Sequence, residues 1–239
     1  STATPSLANS FATEIYTGNA GTQSITTGFK PDFSWIKTRN FAYNHALVDS
    51  VRGRNSTLIS DLDIAANPNS GVDKDLISFD TNGITVGPVQ QAYINPNYNM
   101  VSWNWKAGGT PSINTDGTIT SLVSANQAAG FSVVSYTGSS TLGDTIGHGL
   151  GTPELIICKK TTGAANWAVW SSTFSAASET LFLDLTSPSN QYINRFGTVT
   201  STTFQAGSSG GSEVNPSGGG MIAYCFTSIS GYSKVGSYT

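Results

Sequence analysis

Short runs in which apolar and polar residues alternate fill most of this 239-residue chain. The first is Phe11–Thr17, and Asp32–Thr38 and Met100–Lys106 have the same pattern. A period of two is typical of half-buried β-strands, and no long window shows the helical period. Turn residues separate the runs, among them Asn82-Gly83, a pair typical of tight hairpins. The pattern predicts an all-β fold of antiparallel β-sandwiches, of jelly-roll or Greek-key type.

Two of these runs carry more specific expectations. Residues 57–62 form an apolar run that predicts a strand. In the strand predicted over residues 100–106, hydrophobicity places the apolar set in the core and the polar set outside. The inward set is Val101, Trp103 and Trp105, and the outward set is Ser102, Asn104 and Lys106.

Several short sequence motifs occur twice in the chain, in the same order, at offsets of 120 to 123 residues. Tyr16-Thr17-Gly18 matches Tyr136-Thr137-Gly138, and residues 100–105 match residues 221–226. The repetition predicts two tandem homologous domains: an arm at 1–10, a first repeat at 11–109, a linker at 110–130 and a second repeat at 131–239. Ser237-Tyr238-Thr239 resembles the phrase again, which indicates either a last strand completing the second sandwich or the start of a third copy.

Composition narrows the classes of function. Only 10% of the residues are charged, the net charge is −3 and the sequence pI is about 5.2, which argues against nucleic-acid binding. No apolar run has the length of a membrane-spanning helix. Two cysteines, Cys158 and Cys225, are too few for a disulfide scaffold, and we expect free structural thiols.

Candidate catalytic and metal-binding residues are few, and each has a structural alternative. The two histidines, His45 and His148, do not occupy matching positions in the two repeats, and we interpret both as structural. Asp49 and Arg52 are interpreted as a local ion pair of modest worth.

Paired carboxylates would suit a glycosidase. The candidates are Asp32 with Glu154, Asp61 with Asp184, and the loop acids Asp61, Asp63, Asp73 and Asp75. The two pairs are corresponding positions in the two repeats, which favours repeated turn residues, and the loop acids lack calcium-loop spacing. We therefore expect no catalytic residue, no metal site and no cofactor.

Aromatic residues in two polar loops are the best remaining signal of a contact surface. Phe41 and Tyr43 lie in one loop, and Tyr93 and Tyr98 lie in another that is rich in Asn and Pro. Tyrosine and asparagine are typical both of sugar-stacking sites and of protein interfaces. These four residues are the predicted ligand or partner contacts.

Several phrases of the chain are distinctive. They are Tyr16-Thr17-Gly18, Trp103-Asn104-Trp105-Lys106-Ala107-Gly108-Gly109, Asn114-Thr115-Asp116-Gly117-Thr118-Ile119 and Gly147-His148-Gly149-Leu150. Over residues 11–239 the chain resembles a domain family of uncharacterised function. That family recurs as tandem repeats in virion structural and tail-fibre-like proteins of marine tailed phages (cyanophages).

The resemblance implies a non-enzymatic virion protein, in a tail fibre, an adhesin or a capsid decoration. Its location would be the virion, assembled in the host cytoplasm. Its partners would be other virion proteins or copies of itself in a homo-oligomer, with host-surface glycans as further candidates. The alternative is a carbohydrate-binding, lectin-like module. A glycan-degrading enzyme ranks last, because no paired-acid constellation is evident in the sequence.

Overall fold

The computed structural model describes residues 9–66, 75–88, 94–176, 179–188, 192–207 and 213–238. Within these residues the fold is all-β, with no helix and with every strand pair antiparallel, as the alternating pattern predicted. The chain divides into two compact units. The first comprises residues 1–60 and 66–109, and the second comprises residues 61–65 and 110–239.

The first unit contains two sheets, one of five strands in the order β1-β8-β3-β4-β5 and one of three in the order β2-β7-β6. Its strands are β1 Phe11–Thr17, β2 Gln23–Thr26, β3 Phe33–Thr38, β4 Ala46–Asp49, β5 Leu58–Ile59, β6 Leu76–Asp80, β7 Gly83–Val86 and β8 Asn99–Trp105. Both sheets contribute to one buried cluster, with Ile36, Val48 and Met100 from the larger sheet and Ile25 and Ile84 from the smaller. The predicted strand over residues 57–62 is only the two-residue β5.

The prediction for the faces of β8 was wrong. Met100 belongs to the buried cluster, so Ser102 and Asn104, which lie on the same face of the strand, point inward and are fully buried. Both are satisfied there, because Ser34 Oγ donates to Asn104 Oδ1 (2.8 Å) and Asn104 Nδ2 donates to Ser102 Oγ (2.9 Å). Trp105 lies on the other face, where its ring contacts Phe11 and Phe33.

The second unit has a sheet of eight strands, in the order β16-β15-β14-β13-β19-β11-β10-β9, and one of three, in the order β12-β18-β17. Its strands are β9 Ser112–Asn114, β10 Ser121–Asn126, β11 Phe131–Thr137, β12 Thr145–Gly147, β13 Leu155–Lys160, β14 Ala168–Ser171, β15 Glu179–Phe182, β16 Tyr192–Ile193, β17 Phe196–Val199, β18 Thr203–Ala206 and β19 Gly220–Phe226. Again residues of both sheets, such as Ile156 and Phe204, share one core cluster.

Two segments of the second unit differ from the predicted organisation. Residues 110–130, predicted as a linker, contain β9 and β10, and β10 pairs with β11 along six residues. Residues 61–65 also belong to this unit, where Leu62 O and Asp63 O accept hydrogen bonds from Trp167 Nε1 (3.2 Å) and Ala165 N (2.8 Å). Sequence patterns do not show the pairing of residues 61–65, because their partners lie about 100 residues away.

The two units have corresponding strand orders. Under the predicted alignment β1-β8-β3-β4-β5 corresponds to β11-β19-β13-β14-β15, and β2-β7-β6 corresponds to β12-β18-β17. The described residues after β19 form no further strand, only an isolated bridge between Ile229 and Ser233. A last strand completing the second unit is therefore not seen in residues 227–238.

The repeated Tyr-Thr-Gly phrase has one structural role in both units. Tyr16 Oη donates to Ile94 O (2.6 Å), and Tyr136 Oη donates to Val214 O (2.7 Å). Two residues after each tyrosine the chain passes so close to the next backbone that a Cβ at Gly18 would overlap the carbonyl oxygen of Pro96. The equivalent Cβ at Gly138 would overlap that of Pro216. The glycine is required for close approach rather than for a turn.

A buried asparagine completes each of these junctions. Asn95, 1% exposed, accepts from Gln23 Nε2 (2.9 Å) and donates to Gly21 O (2.6 Å). Asn215, 3% exposed, accepts from Ser139 N (2.7 Å) and donates to Thr141 O (2.9 Å). We call these residues the asparagine clamps, and the first of them fixes the loop that carries Tyr98.

Candidate aromatic contact site

Three of the four predicted contact residues lie together on the first unit. Phe41 stacks on Tyr98 with ring centroids 4.8 Å apart and an interplanar angle of 27°. Tyr43 meets Phe41 at 4.5 Å and Tyr98 edge-on at 5.7 Å. Phe41 is 47% exposed, and both tyrosines are partly exposed. We call Phe41, Tyr43 and Tyr98 the aromatic cluster; the fourth predicted residue, Tyr93, lies outside the described residues.

Two short connections hold the aromatic cluster in place. The segment after β3 pairs with the start of β8, since Arg39 N donates to Asn99 O (2.7 Å) and Asn99 N donates to Asn40 Oδ1 (3.0 Å). Tyr98 O accepts from Gly18 N (2.9 Å), which ties the backbone of Tyr98 to the turn that the first asparagine clamp also holds. The rings are therefore presented on a hydrogen-bonded backbone.

The two segments that carry the aromatic cluster contain positive charges and no acid, in contrast with the acidic chain. Lys37 Nζ donates to Thr38 O (2.7 Å) and to the backbone carbonyl of Phe41 (3.2 Å). Arg39 is exposed, and residues 37–45 and 94–99 contain no Asp or Glu. Amide side chains at positions 40, 97 and 99 are also exposed. The surface thus combines π-faces, amides and cations.

The asparagine clamps were not among the predicted functional residues. Asn95 lies in the Asn- and Pro-rich loop of the sequence analysis, where it was given no role, yet it is buried and its amide is hydrogen-bonded. The signal was present in the sequence, because Asn95-Pro96 and Asn215-Pro216 are separated by the same offset of 120 residues as the Tyr-Thr-Gly phrases.

Both histidines make local structural contacts. His45 Nδ1 accepts from Trp35 Nε1 (2.8 Å). His148 is fully buried; its Nδ1 accepts from Leu150 N (3.1 Å), which leaves Nε2 to donate to Thr200 O (3.3 Å). Burial lowers the pKa of His148, which favours the neutral imidazole in this arrangement.

The corresponding acids Asp32 and Glu154 bind the chain that follows the last strand of each unit. Asp32 Oδ2 accepts from the backbone N–H groups of Ala107 (2.8 Å) and Gly109 (3.2 Å). Glu154 Oε2 accepts from Ser228 Oγ (2.7 Å). Of the loop acids, Asp73 lies outside the described residues.

The ion pair of Asp49 and Arg52 is buried. Arg52 Nη2 lies 2.6 Å from Asp49 Oδ2, and the side chains are 7% and 0% exposed. Arg52 Nε also donates to the same carboxylate (2.6 Å), and Nη1 donates to Ser56 O (2.6 Å). The predicted pair is present, but it is buried rather than exposed. Breaking a buried pair leaves an uncompensated charge, so its loss should cost more stability than the modest amount expected from the sequence.

Two cysteines and a lysine are among the buried titratable groups of the second unit. Cys158 and Cys225 are free and buried, as predicted, and burial raises the pKa of Cys225 to about 12. Lys159 is fully buried, and its Nζ donates to Ala165 O (2.7 Å) and Asp63 O (3.0 Å). Burial lowers the pKa of Lys159 to about 8, with Asp184 and Asp63 acting in the opposite direction.

The second unit also has an open cavity of about 530 Å³ over the larger sheet. Its lining includes Leu155, Val169 and Leu181 from the sheet and the segment 234–238. At its rim Lys234 Nζ lies 4.0 Å from Glu154 Oε2, and the lysine side chain is 81% exposed.

The fold and these contacts define an all-β protein that carries a cluster of three partly exposed aromatic side chains. The chain belongs to the family described as a domain of unknown function (DUF7483), whose model matches residues 6–239. No curated protein and no solved structure matches the chain. Among the described residues, no helix is long and apolar enough to cross a membrane, and no three His, Cys, Asp or Glu side chains are grouped to hold a metal ion.

Proposed function

We propose that this chain is a non-enzymatic structural protein of a tailed-phage virion that acts through the aromatic cluster as its contact surface. The observation that carries the contact role is the meeting of Phe41, Tyr43 and Tyr98 on one partly exposed surface. Exposed aromatic rings held on rigid backbone lose little side-chain entropy on binding, which is why they are enriched at interfaces. The virion location rests on the sequence resemblance.

We further infer that the two units arose by duplication. The repeated phrases, the corresponding strand orders and the two asparagine clamps support this inference. A duplicated scaffold with one aromatic cluster fits a protein whose loops were specialised after copying. In the second unit the residues corresponding to the Phe41 loop lead to Trp167, which is fully buried.

A carbohydrate ligand is the second candidate, and a specific observation favours it. Phe41 is 47% exposed, and Asn40, Asn97 and Asn99, in the two segments that carry the aromatic cluster, are exposed as well. Sugar rings place apolar C–H faces on aromatic rings and hydroxyls against amides, as in pockets that combine apolar walls with few polar groups. Lys37 and Arg39 would favour sugars that carry carboxylate or sulfate groups.

Two measurements test the proposal. Antibody raised against the purified chain should label particles of the phage that encodes it, and absence of the chain from purified particles would refute the virion role. Binding of the chain to host cells and to an array of neutral and acidic glycans should fall about tenfold or more in Phe41→Ala, the loss of one well-placed aromatic anchor.

The control for this substitution is Leu142→Ala, which removes another exposed apolar side chain (70% exposed) on the second unit. It should bind as the unaltered chain does. Equal binding by the Phe41→Ala and Leu142→Ala variants would show that the aromatic cluster is not the contact surface, whatever the location of the chain. Binding to cells but to no glycan would favour a protein partner.

A further inference from the structure

The strand β1 lies at the open edge of the five-stranded sheet. It pairs with β8 along seven residues, and no other described strand pairs with it. The ladder continues at both ends, because Lys106 N donates to Ser10 O (2.9 Å) and Gly18 N donates to Tyr98 O (2.9 Å). Even-numbered residues of β1 therefore bond to β8. Because alternate residues of a strand direct their N–H and C=O groups to opposite sides, the odd-numbered residues direct theirs to the open edge.

Within the described residues, the side of β1 that faces the open edge has no charge, no proline and no bulge, three features by which proteins often protect a free edge. The residues that face it, Phe11, Thr13, Ile15 and Thr17, include no charge and no proline, and the register with β8 runs without a bulge. Ile15 is 65% exposed and Phe11 is 36% exposed. A flat edge of this length with exposed apolar residues is a template for pairing with another strand.

In the second unit, the edge that corresponds to the open edge of β1 is paired with another strand. Its strand β11 corresponds to β1 and pairs with β19 on one side, as β1 does with β8. On its other side β11 carries β10 in antiparallel register from Ser121↔Tyr136 to Asn126↔Phe131, and β9 follows. An antiparallel strand therefore fits at this position of the fold.

We propose that β1 pairs with β1 of a second copy of the chain, antiparallel about a two-fold axis at Thr13. In this register Phe11 lies opposite the partner's Ile15 on both sides of the axis, and Thr13 faces its own equivalent. Aromatic and β-branched residues are favourable cross-strand pairs. The charged Glu14 lies opposite Ala12, which avoids repulsion between like charges.

The neighbouring registers are less complementary. An axis at Glu14 would place two carboxylates directly opposite each other, which is destabilising. An axis at Ile15 would move Phe11 opposite Asn19, in the turn after β1. Of these three registers, the axis at Thr13 gives the best self-complementarity, the property that a two-fold interface requires. This proposal is independent of the aromatic cluster and of any virion role.

The first test is the molar mass of the full chain by light scattering and sedimentation over about 1–200 µM, a range that brackets a micromolar association. We expect a reversible dimer. Ile15→Lys should raise the dissociation constant about tenfold or more, since it removes both apolar pairs and adds two cations at the edge. Leu142→Lys, at a site 70% exposed in a turn of the second unit, is the matched control and should leave the dimer unchanged.

Two further variants keep the test decisive if Ile15→Lys disturbs folding. Thr13→Pro removes an N–H that faces the open edge and not β8, so the sheet should persist while the dimer is lost. Thr13→Cys should form an intermolecular disulfide under mild oxidation, because opposite residues of a hydrogen-bonded pair have Cα atoms about 5.5 Å apart.

Thr120→Cys, an exposed threonine outside the strands, should not form such a disulfide. A chain that stays monomeric at 200 µM would overturn the proposal. A dimer that withstands both Ile15→Lys and Thr13→Pro would overturn it as well, and so would equal cross-linking at positions 13 and 120.

Discussion

The buried lysine of the second unit allows a sharp test through pH. Lys159 is fully buried, its pKa is lowered from 10.5 to about 8 by burial, and its ammonium lies 5.9 Å from the centre of the Trp167 ring. In the unfolded chain the ordinary pKa applies, so between pH 8 and 10.5 the unfolded state binds more protons than the folded state. The free energy of unfolding therefore increases as pH rises from 8 to 10.5, because Lys159 is then neutral in the folded state. This increase disappears as pH falls through 8.

The size of the effect follows from the same values. The difference between 10.5 and about 8, at about 1.36 kcal/mol for each pH unit, corresponds to at most about 3 kcal/mol. In Lys159→Met the stem is retained and the charge is removed. The Asp63 carbonyl keeps its bond from Ala165 N (2.8 Å), whereas the Ala165 carbonyl loses its Lys159 donor, at about 1–3 kcal/mol. At pH 7 these terms nearly offset, and the two proteins should have similar stability.

The assay is urea unfolding of the full chain and of Lys159→Met at several pH values from 7 to 10.5. The unaltered chain should gain up to about 3 kcal/mol relative to the variant across this range. Burial also raises the pKa values of Tyr136, Cys158 and Cys225. These three groups lower stability at high pH in both proteins, so their contribution cancels when the two stabilities are subtracted. Lys234→Met, at a lysine whose side chain is 81% exposed, should run parallel to the unaltered chain. Parallel profiles for Lys159→Met as well would refute the reasoning.

Two further predictions concern the first unit. Gly18→Ala should destabilise it by about 1–3 kcal/mol, because the new Cβ meets the backbone of Pro96. The control is Gly151→Ala, which has no atom within 4 Å of the added Cβ and should change the melting temperature little. Equal melting temperatures for the two variants would contradict the close approach at Gly18. Asp49→Ala should cost about 3–5 kcal/mol by leaving the Arg52 guanidinium buried without its carboxylate. Chemical unfolding measures this loss, and a cost below about 1 kcal/mol, the range of surface pairs, would contradict it.

The sequence predicted the fold class well because alternation and turn residues are local properties. Phe11–Thr17 forms β1 as the pattern predicts, and β6 and β7 form the predicted hairpin, with Thr81 and Asn82 as its turn and Gly83 as the first residue of β7. The faces of β8 failed for a physical reason. Hydrophobicity ranks Trp103 above Asn104 as a core residue, yet Asn104 has a hydrogen-bond partner in Ser34, 70 residues away. A pattern along one strand does not reveal that partner.

The candidate site, too, was predictable where the signal is local and not where it depends on contacts between distant residues. Loop composition drew attention to Phe41, Tyr43 and Tyr98, and the structure brings their rings together. Their proximity depends on the pairing of Arg39 with Asn99, which no local signal shows. Asn95 was overlooked because asparagine in a Pro-rich loop usually faces water; only its repetition at residue 215 distinguishes it.

The five residues 61–65 have a practical consequence for cutting this protein into pieces. A fragment that begins at residue 110 would contain every strand of the second unit and still lack part of it. Without this segment, Trp167 Nε1 and Lys159 Nζ would each lose a carbonyl acceptor. During synthesis these residues leave the ribosome about 50 positions before β9, so they are made before the part of the second unit that they contact. The second unit is therefore not a contiguous stretch of gene, and shuffling or fusion designs must carry the segment with it.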